Sequence, residues 1–155
     1  MISQSSSESV SDVSLVNVSE NIYVHFVSGL GSRLIHVEEV VEVIPMVMLD
    51  ESGTDSSNSL RGLFNYRGKI IPVFDICSDA VKTTLGADKF LIVTCVDDRS
   101  LAVVASEVNQ LVSVELSDIS HITPVGESSF LVAKVNDLMI RIINTADFLG
   151  VTTNE

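Results

Sequence analysis

Two stretches of this chain repeat one another. Laying residue 34 on residue 102, an offset of 68, matches Ile22 with Phe90, Val24 with Ile92, Ile35 with Val103 and Glu39-Val40 with Glu107-Val108 without a gap. One residue more, an offset of 69, lays Arg67-Gly68 on Asn136-Asp137 and Ile70–Phe74 on Met139–Ile143. Each half then reads as a hairpin, a Glu-Val turn, a strand, a loop, a turn and a last strand, an internal repeat of order as well as of residue type. In a chain of 155 residues neither half could bury much surface alone, so the repeat predicts two similar small β-barrels packed face to face.

Local chemistry supports an all-β reading. The chain is 46% hydrophobic but only 5% aromatic, and Val and Ile, whose branching at Cβ suits a pleated surface, dominate. Ile22–Val27 and Arg33–Val37 flank a glycine-containing hairpin loop, Ser28-Gly29-Leu30-Gly31-Ser32. Val37, Val40, Val41 and Ile44 recur at helical spacing, but their branching predicts one helical turn passing into a strand around Val41–Val47. Strands are predicted at Lys69–Ile76, Lys89–Val96, Leu101–Ala105, Gln110–Val114, Phe130–Val135 and Leu138–Ile143, with Asp50–Ser59 and Ser78–Asp88 as polar links. Asn144 caps a short C-terminal helix through Leu149, with Gly150 as its stop. Residues 1–19, Ser-rich and acidic, read as a disordered tail, 20–150 as the folded domain and 151–155 as a second tail.

Several functions are disfavoured. A formal net charge of -12 argues against nucleic acid and against anionic lipid, both of which need clustered cations. No apolar run approaches the ~20 residues that span a bilayer, and no basic, then apolar, leader opens the chain. Cys77 and Cys95 are isolated, which suits two reduced thiols in a cytoplasmic protein. His25, His36 and His121 share no metal-ligand spacing and read as exposed or satisfied structural residues; Asp75 reads as a strand-end cap. Neither a nucleophile elbow nor a phosphate loop is present. The expectation is no enzyme, no metal and no cofactor.

Charge placement is the positive signal. Arg61, Arg67 and Lys69 fall within nine residues, three of the nine Lys and Arg in the whole chain. Gly68 marks a reversal beside Arg67, and Pro72, unable to donate to a ladder, predicts an edge strand or a bulge. Glu42, just past the helical turn, is the acid placed to pair with Arg67. As an ordinary surface pair this would contribute only ~0–1 kcal/mol, whereas a partly buried bidentate pair would orient both strands and present a defined surface.

The segment from Gly62 through Asn65, Tyr66, Arg67, Gly68, Lys69, Ile70, Ile71, Pro72, Val73, Phe74 and Asp75 to Ile76 resembles the signature of CheW-like domains, the coupling proteins of bacterial chemotaxis. That family reads Gly-x-x-Asn, an aliphatic residue, Arg-Gly, a β-branched run with Pro, then Asp-Leu; the resemblance extends over roughly Asn21 to Gly150. It implies two five-stranded, SH3-like β-barrel lobes related by pseudo-symmetry around a shared hydrophobic core, either interleaved or sequential. It further implies a non-catalytic cytoplasmic adaptor, recruited to receptor arrays, that links methyl-accepting chemoreceptor tips to the regulatory domain of a CheA-type histidine kinase. Alternatives are a coupling protein of a pilus, gliding or gene-regulatory chemosensory pathway, or a barrel domain that senses a small molecule. By the resemblance Arg67 and Glu42 form the signalling ion pair, Gly62, Asn65 and Gly68 shape the motif turn, and Val37 and Val40 line the receptor groove. This chain departs from the family in Tyr66, which stands where an aliphatic residue is usual, in the acidic Asp50–Ser59 loop and in the Ser-rich tail.

Overall fold

A computed structural model describes residues 21–29, 31–51, 59–76 and 88–148. The expected tails, most of the 50–59 loop, Cys77, the link as far as residue 87, Leu149 and Gly150 lie outside the described residues. In chain order the strands are β1 (Ile22–Ser28), β2 (Gly31–His36), β3 (Val40–Pro45), β4 (Leu60–Tyr66), β5 (Lys69–Phe74), β6 (Phe90–Val96), β7 (Arg99–Ala105), β8 (Glu107–Ser113), β9 (Ile119–Ile122), β10 (Phe130–Val135) and β11 (Leu138–Ile142). A 3-10 turn at Val37–Glu39 leads into β3, as the branched apolar spacing predicts, and His36 caps it by accepting at Nδ1 from the Glu38 N–H. Asn144 caps a closing helical turn at 146–148 by accepting from the Ala146 N–H.

The two lobes are interleaved. One sheet runs β8-β1-β2-β11-β10-β9 and the other β3-β6-β7-β5-β4, so each lobe joins a hairpin from one half of the chain to the later strands of the other half. The internal repeat holds at the level of register. Tyr23 pairs with His36 as Leu91 pairs with Val104, and Val24 pairs with Leu111 as Ile92 pairs with Val43, each an offset of 68. Leu63 pairs with Pro72 as Val132 pairs with Arg141, an offset of 69. Even the parallel joints correspond: Val73 against Ala102 in one lobe, Ile142 against Leu34 in the other.

The two halves differ in one strand. β9 adds a sixth strand to the first sheet, where five are expected; its counterpart is a single bridge in which Asp50 and Leu63 exchange backbone hydrogen bonds of 2.8 and 2.9 Å. That bridge brings the two ends of the five-stranded sheet together, and its closeness explains Gly62. A Cβ there would lie 2.8 Å from the Asp50 carbonyl oxygen and 2.9 Å from the Leu49 Cβ.

Three cores follow from this arrangement. Leu91 and Val93 of β6, with Ala102 and Val104 of β7, fill the five-stranded lobe, while Ile92, Leu101 and Val103 on the opposite face join Phe26, Ile35 and Phe74 in a core shared between the lobes. Strands buried on both faces read as continuous apolar runs rather than as alternation. Tyr23, Leu34, Ala133 and Ile140 fill the six-stranded lobe.

Three readings are corrected in detail. Pro72 is not on an edge strand, since β5 lies between β4 and β7, but the β4–β5 ladder does shift register beside it, between Leu60 and Gly62; parallel pairing with β7 begins only at Val73, so Pro72 escapes the demand for a second ladder. Residues 60–66 form a full strand whose Gly62 and Asn65 mask the alternation. His25 is not satisfied, because its Nε2 is buried without a hydrogen-bond partner among the described residues, beside a register shift in the β1–β8 ladder.

Candidate functional site

At the tip of the five-stranded lobe the hairpin β4–β5 turns on two residues, Arg67 and Gly68, both with positive φ (52° and 87°). The same two-residue turn recurs at Asp97-Asp98 and Asn136-Asp137, residues that tolerate the left-handed region, with φ between 51° and 67°. Arg67 has no such tolerance. A side chain with a Cβ costs roughly 1–2 kcal/mol there relative to glycine. Asn65 Oδ1 offsets part of this by accepting from the Gly68 N–H at 2.7 Å, closing the turn from its own side chain.

The strained arginine is directed at Glu42. Arg67 Nη2 donates to Glu42 Oε1 at 2.6 Å, and the Tyr66 hydroxyl donates to the same oxygen at 2.5 Å. The guanidinium also lies 5.1 Å from the centroid of the Tyr66 ring, and that ring meets Phe64 edge to face at 6.1 Å. Donating to Glu42 raises the Tyr66 pKa above its ordinary value, so the phenol remains the donor through neutral pH. The contact is not between ladder neighbours: β3 and β4 are the two ends of their sheet, and they meet here because the sheet curls on itself.

Magnitudes separate fold from function at this tip. The Arg67 side chain is 70% exposed and that of Glu42 32%, so solvent screens the pair to about 0–1 kcal/mol. That does not exceed the strain of placing arginine in the turn. The twin position shows that the fold needs none of it, since the register puts Gln110, Val135 and Asn136 where Glu42, Tyr66 and Arg67 stand. An exposed, costly charge that its structural twin lacks fits a functional role.

Val37 and Val40 are both half-buried, and Val40 packs on the shared core, as does its twin Val108. The strand alternation instead exposes Val41 (51%) and Val43 on β3 and, on β8, Leu111 (56%), the twin of Val43. These flank the two sheet edges that bracket the shared core. The helical spacing of Val37, Val40, Val41 and Ile44 gives no sign of this exposure, because the segment is already strand at Val40.

Sequence reasoning also missed a partly buried clamp. Arg61 Nη1 donates to Asp75 Oδ2 at 3.0 Å and to Asp88 Oδ2 at 2.9 Å, tying the ends of β4, β5 and β6 together. Burial works to lower the Arg61 pKa, but hydrogen bonds and charge from Asp88 and Asp75 outweigh it and raise the pKa. Arg61 and Asp75 stand in the region of the resembling signature, and their pairing across the β4–β5 hairpin was the available clue. Cys95 is a free, half-buried thiol, and no cluster of His, Cys, Asp and Glu among the described residues could hold a metal.

An interleaved pair of SH3-like lobes with one charged tip defines the class of a two-lobed, all-β domain. The CheW-like domain family matches residues 23–153, and the chain belongs to that family. Among solved structures it is similar to the scaffolding protein TtCheW from Thermoanaerobacter tengcongensis, at 23% identity and a TM-score of 0.63, covering 81% of this chain and 84% of that one. No curated protein matches the chain. Among the described residues no helix is long and apolar enough to cross a membrane.

Proposed function

We propose that this chain is a non-catalytic adaptor that couples the cytoplasmic tips of methyl-accepting chemoreceptors to the regulatory domain of a CheA-type histidine kinase. The observation that carries this reading is the tip itself: Arg67, held in a left-handed turn and bonded to Glu42, while the twin turn has Asn136. Only one amino group of Arg67 is engaged by Glu42, so the rest of its planar fork faces outward, able to take a carboxylate of a partner. The turn residues Gly62, Asn65 and Gly68 support this presentation.

Receptor docking falls to the apolar edges of the two lobes. Val41 and Val43 in one lobe and Leu111 in the other are exposed on strands whose neighbouring valines anchor in the shared core, giving each lobe an apolar edge on a rigid base. Such an edge suits the apolar face of an amphipathic helix. Val37 and Val40 then shape the floor of the groove rather than its contact surface.

Replacing Arg67 with glutamate inverts the charge and sets it against Glu42. In reconstituted arrays of receptor, kinase and this protein, Arg67→Glu abolishes kinase activation while the thermal transition stays within a few degrees of the parent. Wild-type kinase output from the folded variant removes the proposed role.

A further inference from the structure

The shared register makes every difference between the lobes interpretable, and one difference lies far from the charged tip. A half-open cavity of about 690 Å3 enters the six-stranded lobe beside the 3-10 turn and the C-terminal helical turn. That volume lies in the range of small-molecule sites. Tyr23, His36 and Arg141 line it, and the ladders place Leu91, Val104 and Pro72 at the same positions in the other lobe. Leu91 and Val104 are fully buried there. The fold therefore closes this end with aliphatic side chains where packing alone is required, and the polar set in the six-stranded lobe needs another explanation.

The charges lining the cavity come from different elements according to sign. The cation is Arg141 of β11, stacked over the Phe130 ring at 4.0 Å and paired with no carboxylate among the described residues. The carboxylates are Glu39, from the 3-10 turn, and Asp147, from the helical turn. Glu39 is fixed in place at one oxygen, Oε1, which accepts from the buried Thr145 hydroxyl at 2.8 Å. The Tyr23 ring also lines the cavity, edge-on to His36 at 5.2 Å. Burial raises the Tyr23 pKa, with the Glu39 charge adding to it, so its hydroxyl is a neutral donor at neutral pH.

We propose that this cavity binds a free α-amino acid with an aromatic or large apolar side chain. Its carboxylate pairs with Arg141, its ammonium with Glu39 and Asp147, and its side chain lies against Phe130 and Tyr23. A ligand carrying only one of the two charges leaves the other protein group desolvated without a partner and binds more weakly.

Isothermal titration of the full chain with L-phenylalanine, hydrocinnamate and phenethylamine tests this directly, because the last two each lack one charge. L-phenylalanine binds about tenfold or more tighter than either, the difference set by one lost charged hydrogen bond. Arg141→Gln, at an exposed position, weakens L-phenylalanine and hydrocinnamate but leaves phenethylamine unchanged. Glu39→Gln keeps an oxygen for Thr145 and weakens L-phenylalanine and phenethylamine only. Absence of L-phenylalanine binding at millimolar concentration overturns the assignment, as do equal affinities for the three probes or affinities that neither substitution changes.

Discussion

The two lobes repeat one strand register, one in a five-stranded and the other in a six-stranded sheet, and their divergence separates what the fold requires from what it carries. Both turn their last hairpin on two left-handed residues, yet one uses Asn136-Asp137, suited to that backbone, and the other uses Arg67-Gly68. Both place an edge strand on the shared core through a valine, Val40 or Val108, with an exposed aliphatic three residues on. At matching ladder positions one lobe has the alkyl side chains of Leu91 and Val104, and the lobe that holds the cavity has the rings of Tyr23 and His36. What is common follows from packing and register. What differs lies at the Gly62 bridge, at the Arg67 turn and along the cavity wall.

Exchanging twin residues tests that division, and the largest effect falls on barrel closure. Gly62 occupies the place of Leu131, and the Asp50 bridge leaves no room for a side chain there. Gly62→Leu lowers stability in chemical denaturation by about 2–4 kcal/mol, whereas Leu131→Gly in the six-stranded lobe costs only about 1 kcal/mol. Equal losses at the two positions would mean that the lobes close in the same way after all.

Next is the apolar edge at Val41. Val41→Asp weakens receptor binding by about tenfold, the loss of one interface anchor, and leaves kinase binding unchanged in parallel pulldowns. Val41 is the residue to change because Val40 supports the core, so a charge at Val40 would confound binding with folding. Equal losses of both partners at Val41 would remove that edge from the receptor contact.

The smallest effect is a titration. The chain has two tyrosines, and both phenols ionise above the ordinary value of 10.0, Tyr23 chiefly through burial and Tyr66 chiefly through its hydrogen bond to Glu42. A raised folded-state pKa means that the Tyr66–Glu42 contribution is fully present below pH 10.0 and is lost as pH rises through the higher folded value. In an ultraviolet titration Glu42→Ala brings the Tyr66 midpoint down and leaves that of Tyr23 in place. An unchanged pair of midpoints would show that Glu42 does not hold the phenol.

Much of this was legible before any coordinates. The offsets of 68 and 69 survive as matched ladders because a repeat in sequence that preserves strand spacing must also preserve register. Glu42 and Arg67 could be named because few cations are present in so acidic a chain. The interleaving was not legible, since it rests on parallel joints between β2 and β11 and between β5 and β7, pairings distant in sequence that leave no local pattern. β9 was missed because four residues carry too little alternation, and β4 because Gly62 and Asn65 interrupt it for reasons of closure and turn geometry. The cavity was invisible because Tyr23, His36, Glu39 and Arg141 are scattered along the chain and assembled only by the fold.

Arg67→Asn tests the central claim most directly, because it installs in the five-stranded lobe the residue that its twin already uses. Asparagine relieves the left-handed strain and removes a screened ion pair, so the denaturation midpoint stays level or rises, by up to about 1 kcal/mol of stability. Receptor-coupled kinase activation, measured on the same preparation, is lost. A variant that loses stability while retaining kinase activation would contradict the account, for Arg67 would then belong to the barrel rather than to the signal.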